Sequence, residues 1–249
     1  EVEFAGLEES DIARLMAVNT LFDEDRIVAN FSNMDQAFHT TPVPTGDGLP
    51  SPLPEGPALT LPGRAAAWIN ARAVTGLVVL KNGEIVHESY HLGTGREDRR
   101  ISWSVAKSFL SALFGAVLEE GHIASLDDPV TRYAPALAGG AYDGARIRDV
   151  LQMASGVAFN EDYADYSSDI NRMGRVLALN GSMDAFAAGL TETVRPPGEA
   201  WQYVSIDTHV LSMVIRGATG RSIPDLMSDR IIRPMGMESA VYYITDTPG

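Results

Sequence analysis

The stretch that decides the fold is ISWSVAKSFL, residues 101–110. Only small and apolar residues follow Lys107 as far as Leu118, and the run ends at Glu119-Glu120-Gly121. Such a run predicts one long helix that a glycine terminates. Because apolar residues occur on every side of this helix, the pattern predicts that the helix is buried.

Two polar residues, Ser104 and Lys107, lie in the first turn of the predicted helix. Residues three apart share a helix face, with Cβ atoms roughly 5–6 Å apart. A serine hydroxyl is a poor nucleophile until a base takes its proton, and a lysine in a dry pocket could be that base. The helix N-terminus would add partial positive charge beside an oxyanion. The pair matches the S-x-x-K arrangement of active-site serine enzymes.

The same spacing also arises by chance, so an alternative has to be weighed. In that alternative the serine caps the helix and the lysine stays in water. A lysine that opens an otherwise apolar helix favours the active-site interpretation, because lysines are rarely placed among apolar residues without a partner.

The composition is that of an ordinary globular protein. The 249 residues are 45% hydrophobic and 21% charged, and the net charge is −14. This charge disfavours nucleic acid and anionic membrane surfaces as partners. The absence of cysteine excludes disulfides and thiolate metal sites. No apolar run approaches 18 residues, so we expect no transmembrane segment, and we expect no cofactor.

The N-terminal region, residues 1–63, predicts one short helix and a proline-rich arm. The helix is expected at Ser10–Met16, where a serine precedes the first apolar residues. Residues 42–62 contain half of the 14 prolines. They predict an extended arm lying over the domain, with a disordered linker as the alternative.

A β-hairpin is predicted next, after a helix at 64–71. Two strand-like runs, 75–80 and 84–90, flank Asn82-Gly83, which is a strong hairpin signal. Residues 87–91 also match H-E-x-x-H, a zinc-protease signature that requires a helix. On a strand the two histidines would stand roughly 13 Å apart, at about 3.3 Å per residue, which is too far for one zinc ion.

Residues 108–235 predict a region of helices and loops. Ser205 is a plausible N-cap, and Ser222 begins a capping box. A polar loop at 159–169 carries Tyr163 and Tyr166. The predicted helices, each closed by a glycine, are 146–155, 183–189 and 206–219.

The second candidate site is Tyr203-Val204-Ser205, which follows a turn rich in proline and glycine. A tyrosine near a lysine ammonium is favoured as a phenolate or as a proton relay. The alternative is a core tyrosine at the corner of a loop.

Together, Ser-x-x-Lys at 104–107 and Tyr-x-Ser about a hundred residues later resemble the penicillin-recognising serine hydrolases. These include class C β-lactamases, DD-peptidases and family VIII esterases. The sequence is most similar to the nylon-oligomer (6-aminohexanoate-dimer) hydrolase branch, and the similarity covers roughly residues 64–240. The matching segments are 84–107, 151–156, 160–163 and 196–220.

The resemblance implies a role for each matching residue. Ser104 would be the acyl-accepting nucleophile, and Lys107 and Tyr203 would handle its proton. Ser205 stands where the family has Asn or Ser, hydrogen-bonding near the lysine.

A loop tyrosine contacts the substrate amide in the nylon-oligomer branch. Tyr163 would take that position, with Tyr166 as the alternative.

The resemblance also implies an α/β (α+β) fold of the β-lactamase/transpeptidase type, in which an antiparallel sheet is flanked by helices. Residues 64–107 would begin the α/β domain, 108–235 would be the inserted helical region, and 236–249 would return towards the sheet. Ser104 would lie at the junction of the two regions, where pockets commonly form.

The family's third motif, K-T-G or H-x-G-like, is missing between Tyr203 and Gly249. We therefore expect the chain to be an N-terminal part of a longer protein, or one piece of a cleaved one, and the remainder would supply the C-terminal part of the sheet. Because the sequence begins at Glu1, removal of a leader stays open. So do the oligomeric state and the location of this bacterial-type soluble protein, whether periplasmic, secreted or cytoplasmic.

The function implied is a serine hydrolase that acts through an acyl-enzyme on a small-molecule ester or linear amide. A carboxylesterase or 6-aminohexanoate-oligomer-type amidase ranks above a β-lactamase or DD-peptidase, since Ser205 offers one donor where an Asn amide offers two. A non-catalytic module resembling penicillin sensors is the alternative of another class.

Overall fold

A computed structural model describes residues 8–246 of the chain. Residues 1–7 of the predicted N-terminal region and 247–249 of the predicted C-terminal return lie outside the described residues. The described part begins with three helices and a short strand, which are α1 (Glu9–Asn19), α2 (Ile27–Ser32), α3 (Met34–Ala37) and β1 (Thr40–Val43). None of the helices formed by residues 8–246 is long and apolar enough to cross a membrane.

The proline-rich arm is extended, as predicted, and lies along the hairpin. The backbone amide of Gly56 donates to the carbonyl of Ile85 at 2.9 Å, and that of Leu59 donates to Val86 at 2.7 Å. Prolines cannot donate such bonds, so the arm donates through the residues between them, while the carbonyl of Pro54 accepts from the amide of Ile85 at 2.8 Å.

The predicted hairpin is confirmed. After α4 (Ala65–Ala71), β2 (Gly76–Lys81) pairs antiparallel with β3 (Glu84–Tyr90). Asn82 and Gly83 both have positive φ, 53° and 81°, as a two-residue hairpin turn requires.

A second antiparallel pair joins two segments that are far apart in the sequence. β1 pairs with β4 (Val241–Ile244), so that Thr40 faces Ile244. The described strands therefore form two separate two-stranded sheets rather than one sheet. The sequence pattern does not predict β1, because the strand has four residues and one of them is Pro42.

The H-E-x-x-H segment lies on and just after β3, and its histidines share one face as expected. Their rings approach each other more closely than the backbone spacing implies. Both Nε2 atoms form hydrogen bonds with Ser89 Oγ, at 2.9 Å for His87 and 3.1 Å for His91. The serine hydroxyl thus joins the two rings.

The long helix is α5 (Val105–Glu119), but the prediction that it is buried on all sides is wrong. Its buried face packs against α9 (Ser205–Thr219) and the neighbouring 228–232 turn. The opposite face is exposed at Val105, Ser111 and Ala112. An apolar sequence pattern indicates that a helix face favours burial, but it does not indicate which other elements pack against that face. The residues of the buried face are Leu110, Leu113, Phe114 and Val117.

The other helices are α6 (Ile147–Leu151), α7 (Asp169–Ala178), α8 (Met183–Ala188), α10 (Ile223–Met227) and α11 (Arg233–Met235). α9 packs against α5, α6, α8 and α10, and its buried residues belong to the main core. Gly220, with φ 69°, ends α9 as predicted.

Two helix predictions need correction. α6 ends at Leu151 rather than at 155, because the chain turns at Met153, which has a positive φ of 55°. α7 is not predicted from the sequence, although Ser168 caps it by accepting from the amide of Asn171. The Ser222 cap is confirmed, since its side chain accepts from the amide of Asp225. The return bond that would complete the predicted capping box is absent among the described residues.

Candidate active site

The structure brings Ser104, Lys107 and Tyr203 together. Lys107 Nζ donates a hydrogen bond to Ser104 Oγ at 3.0 Å, and the Tyr203 hydroxyl donates to the same oxygen at 2.8 Å. Lys107 Nζ also lies 5.3 Å from the centroid of the Tyr203 ring. Two residues that are about a hundred positions apart in sequence therefore meet at one serine hydroxyl.

Ser104 stands at the N-cap position of α5, yet its side chain makes no capping hydrogen bond. The alternative of a capping serine is therefore wrong, and Lys107, which is half-buried, is bonded to Ser104 Oγ. The hydroxyl is exposed and faces the lysine and the tyrosine instead.

The turn before Ser104 is held in a left-handed conformation. Trp103 has a φ of 45°, which costs a residue with a Cβ atom about 1–2 kcal/mol. Its indole stacks on Phe22 with ring centroids 5.4 Å apart and meets Phe31 edge-on at 5.2 Å. These aromatic contacts tie the turn that carries Ser104 to the N-terminal helices.

Tyr203 lies in an environment that eases loss of its proton. Burial alone would raise the pKa of this phenol, and the charge of Glu161 acts in the same direction. Hydrogen bonds with Ser104 and Lys107, together with the lysine charge, outweigh both, so the pKa lies below its usual value.

Ser205 does not cap α9, contrary to the prediction. It is the first residue of the helix, and Val204 occupies the N-cap position without a side-chain acceptor. Ser205 donates to Glu161 through its backbone amide, at 3.1 Å, and through its hydroxyl. These bonds join Ser205 to the polar loop, and within the described residues it forms no hydrogen bond with Lys107.

Of the two loop tyrosines, Tyr163 belongs to this cluster. Its hydroxyl donates to Glu161 at 3.1 Å, and burial followed by the glutamate charge raises its pKa. Tyr166 stacks on Arg175 instead, with the guanidinium carbon 4.1 Å from the ring centroid.

Glu161 is the site residue that the sequence reasoning missed. It lies 44 residues before Ser205, and no motif spacing links the two. The segment that contains it resembles the nylon-oligomer branch, but a resemblance of text does not say which side chain accepts the hydrogen bonds.

The sequence that carries this site matches a known protein family. The family model described as Beta-lactamase matches residues 64–247, which is more than half of the chain. The chain belongs to the beta-lactamase family. This finding agrees with the predicted resemblance to penicillin-recognising serine hydrolases and with the predicted fold class.

Individual relatives of this beta-lactamase-family chain agree with that assignment. The "6-aminohexanoate-dimer hydrolase" of Paenarthrobacter ureafaciens is 32% identical over 205 residues, which cover 80% of this chain and 50% of that protein. The solved structure named "Putative 6-aminohexanoate-dimer hydrolase from Bacillus anthracis" has a TM-score of 0.79 at 20% identity, over 92% of this chain and 64% of that one.

A more distant structure, the octameric penicillin-binding protein homologue from Pyrococcus abyssi, has a TM-score of 0.54 at 22% identity. It is matched over 70% of this chain and 42% of that one. The chain thus spans about half the length of the curated relative and under two thirds of the Bacillus anthracis structure.

Behind the site of this beta-lactamase-family chain, a buried carboxyl and a buried phenol form a second pair that the sequence did not reveal. Tyr142 donates to Asp207 Oδ1 at 2.7 Å, and Asp207 lies in the first turn of α9. Burial raises the pKa of Asp207 to about 7, against the lowering effect of the Tyr142 hydrogen bond. Asp207 is therefore largely protonated in a folded protein at mildly acidic pH.

We expect this buried carboxyl to make stability fall as the pH rises. Between the ordinary value of 3.8 and about 7, the folded state keeps a proton that the unfolded state loses. The loss amounts to roughly 3 kcal/mol between pH 5 and 8. Asp207→Asn cannot ionise, so its free energy of unfolding relative to wild type should increase by that amount over the same interval in urea titrations.

Asp143→Asn, at an exposed aspartate, controls for the loss of one charge. If the difference between wild type and Asp207→Asn were the same at pH 5 and pH 8, the protonated state of Asp207 would be disproved.

Proposed function

We propose that the protein is a serine hydrolase in which Ser104 forms an ester with the acyl group of the substrate. The observation that carries the proposal is the pair of hydrogen bonds, 3.0 Å and 2.8 Å long, that join Ser104 Oγ to Lys107 and Tyr203. One of these partners must be deprotonated to accept the hydroxyl proton as the oxygen attacks the carbonyl carbon.

The reaction then proceeds in two halves. Attack by Ser104 Oγ gives a tetrahedral oxyanion, and its collapse breaks the bond to the leaving oxygen or nitrogen, which receives the proton held by the base. Water attacks the resulting ester, gives its proton to the same base, and releases the carboxylic acid as the serine is reprotonated. The helix N-terminus at α5 favours the oxyanion electrostatically.

Whether Lys107 or Tyr203 takes the proton is a property of the coupled pair. The lowered pKa of Tyr203 supports a phenolate or a relay through the tyrosine. The ammonium group of Lys107 would then stabilise the phenolate at close range.

Esters and small linear amides fit the site best, which supports a carboxylesterase or a 6-aminohexanoate-oligomer-type amidase. Tyr163 stands on the loop tied to Ser205, and its side chain is exposed. Its hydroxyl would have to exchange the hydrogen bond to Glu161 for one to the leaving nitrogen in order to assist the reaction. The relative that is 32% identical is named a 6-aminohexanoate-dimer hydrolase, which supports the amide half of the proposal.

Two other functions are less well supported. A β-lactamase or DD-peptidase would need a side-chain donor for the substrate amide, but the Ser205 hydroxyl already donates to Glu161. A binding module without catalysis would not need Ser104 to be free of a capping bond and joined to two proton-handling groups.

A substrate panel on the purified protein tests the proposal. We expect p-nitrophenyl butyrate and the linear aminohexanoate dimer to be turned over with higher kcat/KM than nitrocefin, and a fluorophosphonate to label Ser104. Nitrocefin as the fastest substrate would reverse the ranking. The absence of both turnover and labelling would select the binding module.

A further inference from the structure

Glu161 receives three hydrogen bonds, all from residues beside the candidate nucleophile. The Ser205 amide donates to Oε2 at 3.1 Å, the Ser205 hydroxyl donates to Oε1, and the Tyr163 hydroxyl donates to Oε1 at 3.1 Å. These bonds come from two of the three predicted substrate-binding residues, Ser205 and Tyr163, rather than from Ser104 or Lys107. Any effect of Glu161 on the chemistry is therefore indirect.

The start of α9 explains why this carboxylate is needed. The first amides of a helix have no acceptor within the helix, and a side chain at the N-cap usually supplies one. Val204 stands at that position with φ −135° and ψ 105°, and an isopropyl group accepts nothing. Glu161 reaches across from another segment and accepts from the first amide. Its negative charge also suits the positive end of the helix.

This external cap constrains the residues on both sides of it. Tyr203 precedes Ser205 by two residues, and the single residue between them is extended. Fixing Ser205 therefore limits where the Tyr203 ring can lie. The same carboxylate holds the Tyr163 hydroxyl, so the loop and the helix are joined at one group.

We propose that Glu161 is a positioning residue that caps α9 from the facing loop and thereby holds Tyr203, Ser205 and Tyr163 in register with Ser104. The role deepens the proposed hydrolase function and rests on it for its kinetic consequences, while its structural consequence can be measured separately.

The charge of Glu161 gives a second test of the proposal, in the pH dependence of kcat/KM. The titratable groups that act on Tyr203 are Lys107 on α5 and Glu161 and Tyr163 on the loop. Asp207, in the first turn of α9, interacts with Glu161. Glu161 raises the pKa of Tyr203, while Lys107 lowers it. Removing the glutamate charge should move the ascending limb of kcat/KM to lower pH. A residue that only held the fold together would lower activity without moving that limb.

The test compares Glu161→Ala and Glu161→Gln with wild type on p-nitrophenyl butyrate between pH 5 and 10. Misplacement of a reacting group by about 1 Å can cost about 10²-fold in rate, so we expect a loss of that order in kcat for Glu161→Ala, with KM much less affected. Glu161→Gln keeps one acceptor oxygen and should lose less, with its limb shifted to lower pH. Glu192→Ala, at an exposed glutamate, is the matched control.

Amide hydrogen exchange tests the cap without using activity. In Glu161→Ala, the amides of residues 205–207 should exchange about tenfold faster than in wild type, because the first turn of α9 opens more often. Glu192→Ala should leave them unchanged. An unchanged exchange rate in Glu161→Ala would refute the proposal, whatever the kinetics.

The two proposals fail differently. If the wild-type protein showed no turnover, the proposed hydrolase function would be disproved. The hydrogen-exchange experiment would still test whether Glu161 caps α9. If Glu161→Ala did not fold, the Glu161→Gln variant would be used instead. If this variant had the wild-type kcat, the wild-type pH dependence of kcat/KM and the wild-type amide exchange rates, the positioning role of Glu161 would be disproved.

Discussion

Replacing Ser104 by alanine should lower kcat for p-nitrophenyl butyrate by about 10⁴-fold or more, since loss of a nucleophile that works with a base removes most of its catalysis. The substitution deletes the one oxygen that accepts from both Lys107 and Tyr203. The lysine and tyrosine would remain, but with no acyl acceptor they could only assist water. KM should change little, because replacing the hydroxymethyl side chain by a methyl group does not block the site.

The control is Ser111→Ala, on the exposed face of the same helix. It should retain wild-type kcat and remain labelled by a fluorophosphonate, whereas Ser104→Ala should lose the label. Full activity on an activated ester without Ser104 would end the acyl-enzyme proposal.

Local sequence pattern allowed a hairpin and the end of a helix to be predicted. The hairpin follows from Asn82-Gly83 between two strand-like runs, and the end of α9 follows from Gly220. Both signals act within a few residues, where turn chemistry and left-handed φ values decide the conformation.

The exposed face of α5 illustrates what a pattern cannot predict. Its apolar residues recur on every side, but burial requires a neighbouring element, and only one face of α5 meets α9 and the 228–232 turn. The β1–β4 pair escapes prediction for a related reason. Thr40 and Ile244 are far apart in the sequence, and four-residue strands are too short for their alternation to be recognised.

The residues of the candidate site likewise fall into those that the sequence predicts and those that it does not. Ser104, Lys107 and Tyr203 could be named because their spacing recurs in a known family. Glu161 and Asp207 could not, because the first accepts from a helix 44 residues away and the second is identified only by its burial. A sequence shows which groups can do chemistry, whereas their protonation depends on three-dimensional neighbours.

Tyr203→Phe should lower kcat by about 10²- to 10⁴-fold, the usual contribution of a positioned proton-transfer group. Phenylalanine keeps the ring that lies 5.3 Å from the lysine nitrogen and removes only the hydroxyl at 2.8 Å from Ser104. The loss should therefore appear in kcat rather than in KM or in the midpoint of thermal unfolding. Tyr242→Phe, on β4 and stacked with Arg99 rather than placed beside Ser104, should retain wild-type kcat.

The pH profile then separates the two possible bases. If the phenolate takes the proton, the ascending limb of kcat/KM belongs to Tyr203, and Tyr203→Phe should abolish that limb along with most of the rate. Combining it with Lys107→Ala should cost little more than either change alone, because groups that act as one unit are not additive. A Tyr203→Phe enzyme with wild-type kcat and an intact ascending limb would show that Lys107 alone receives the serine proton.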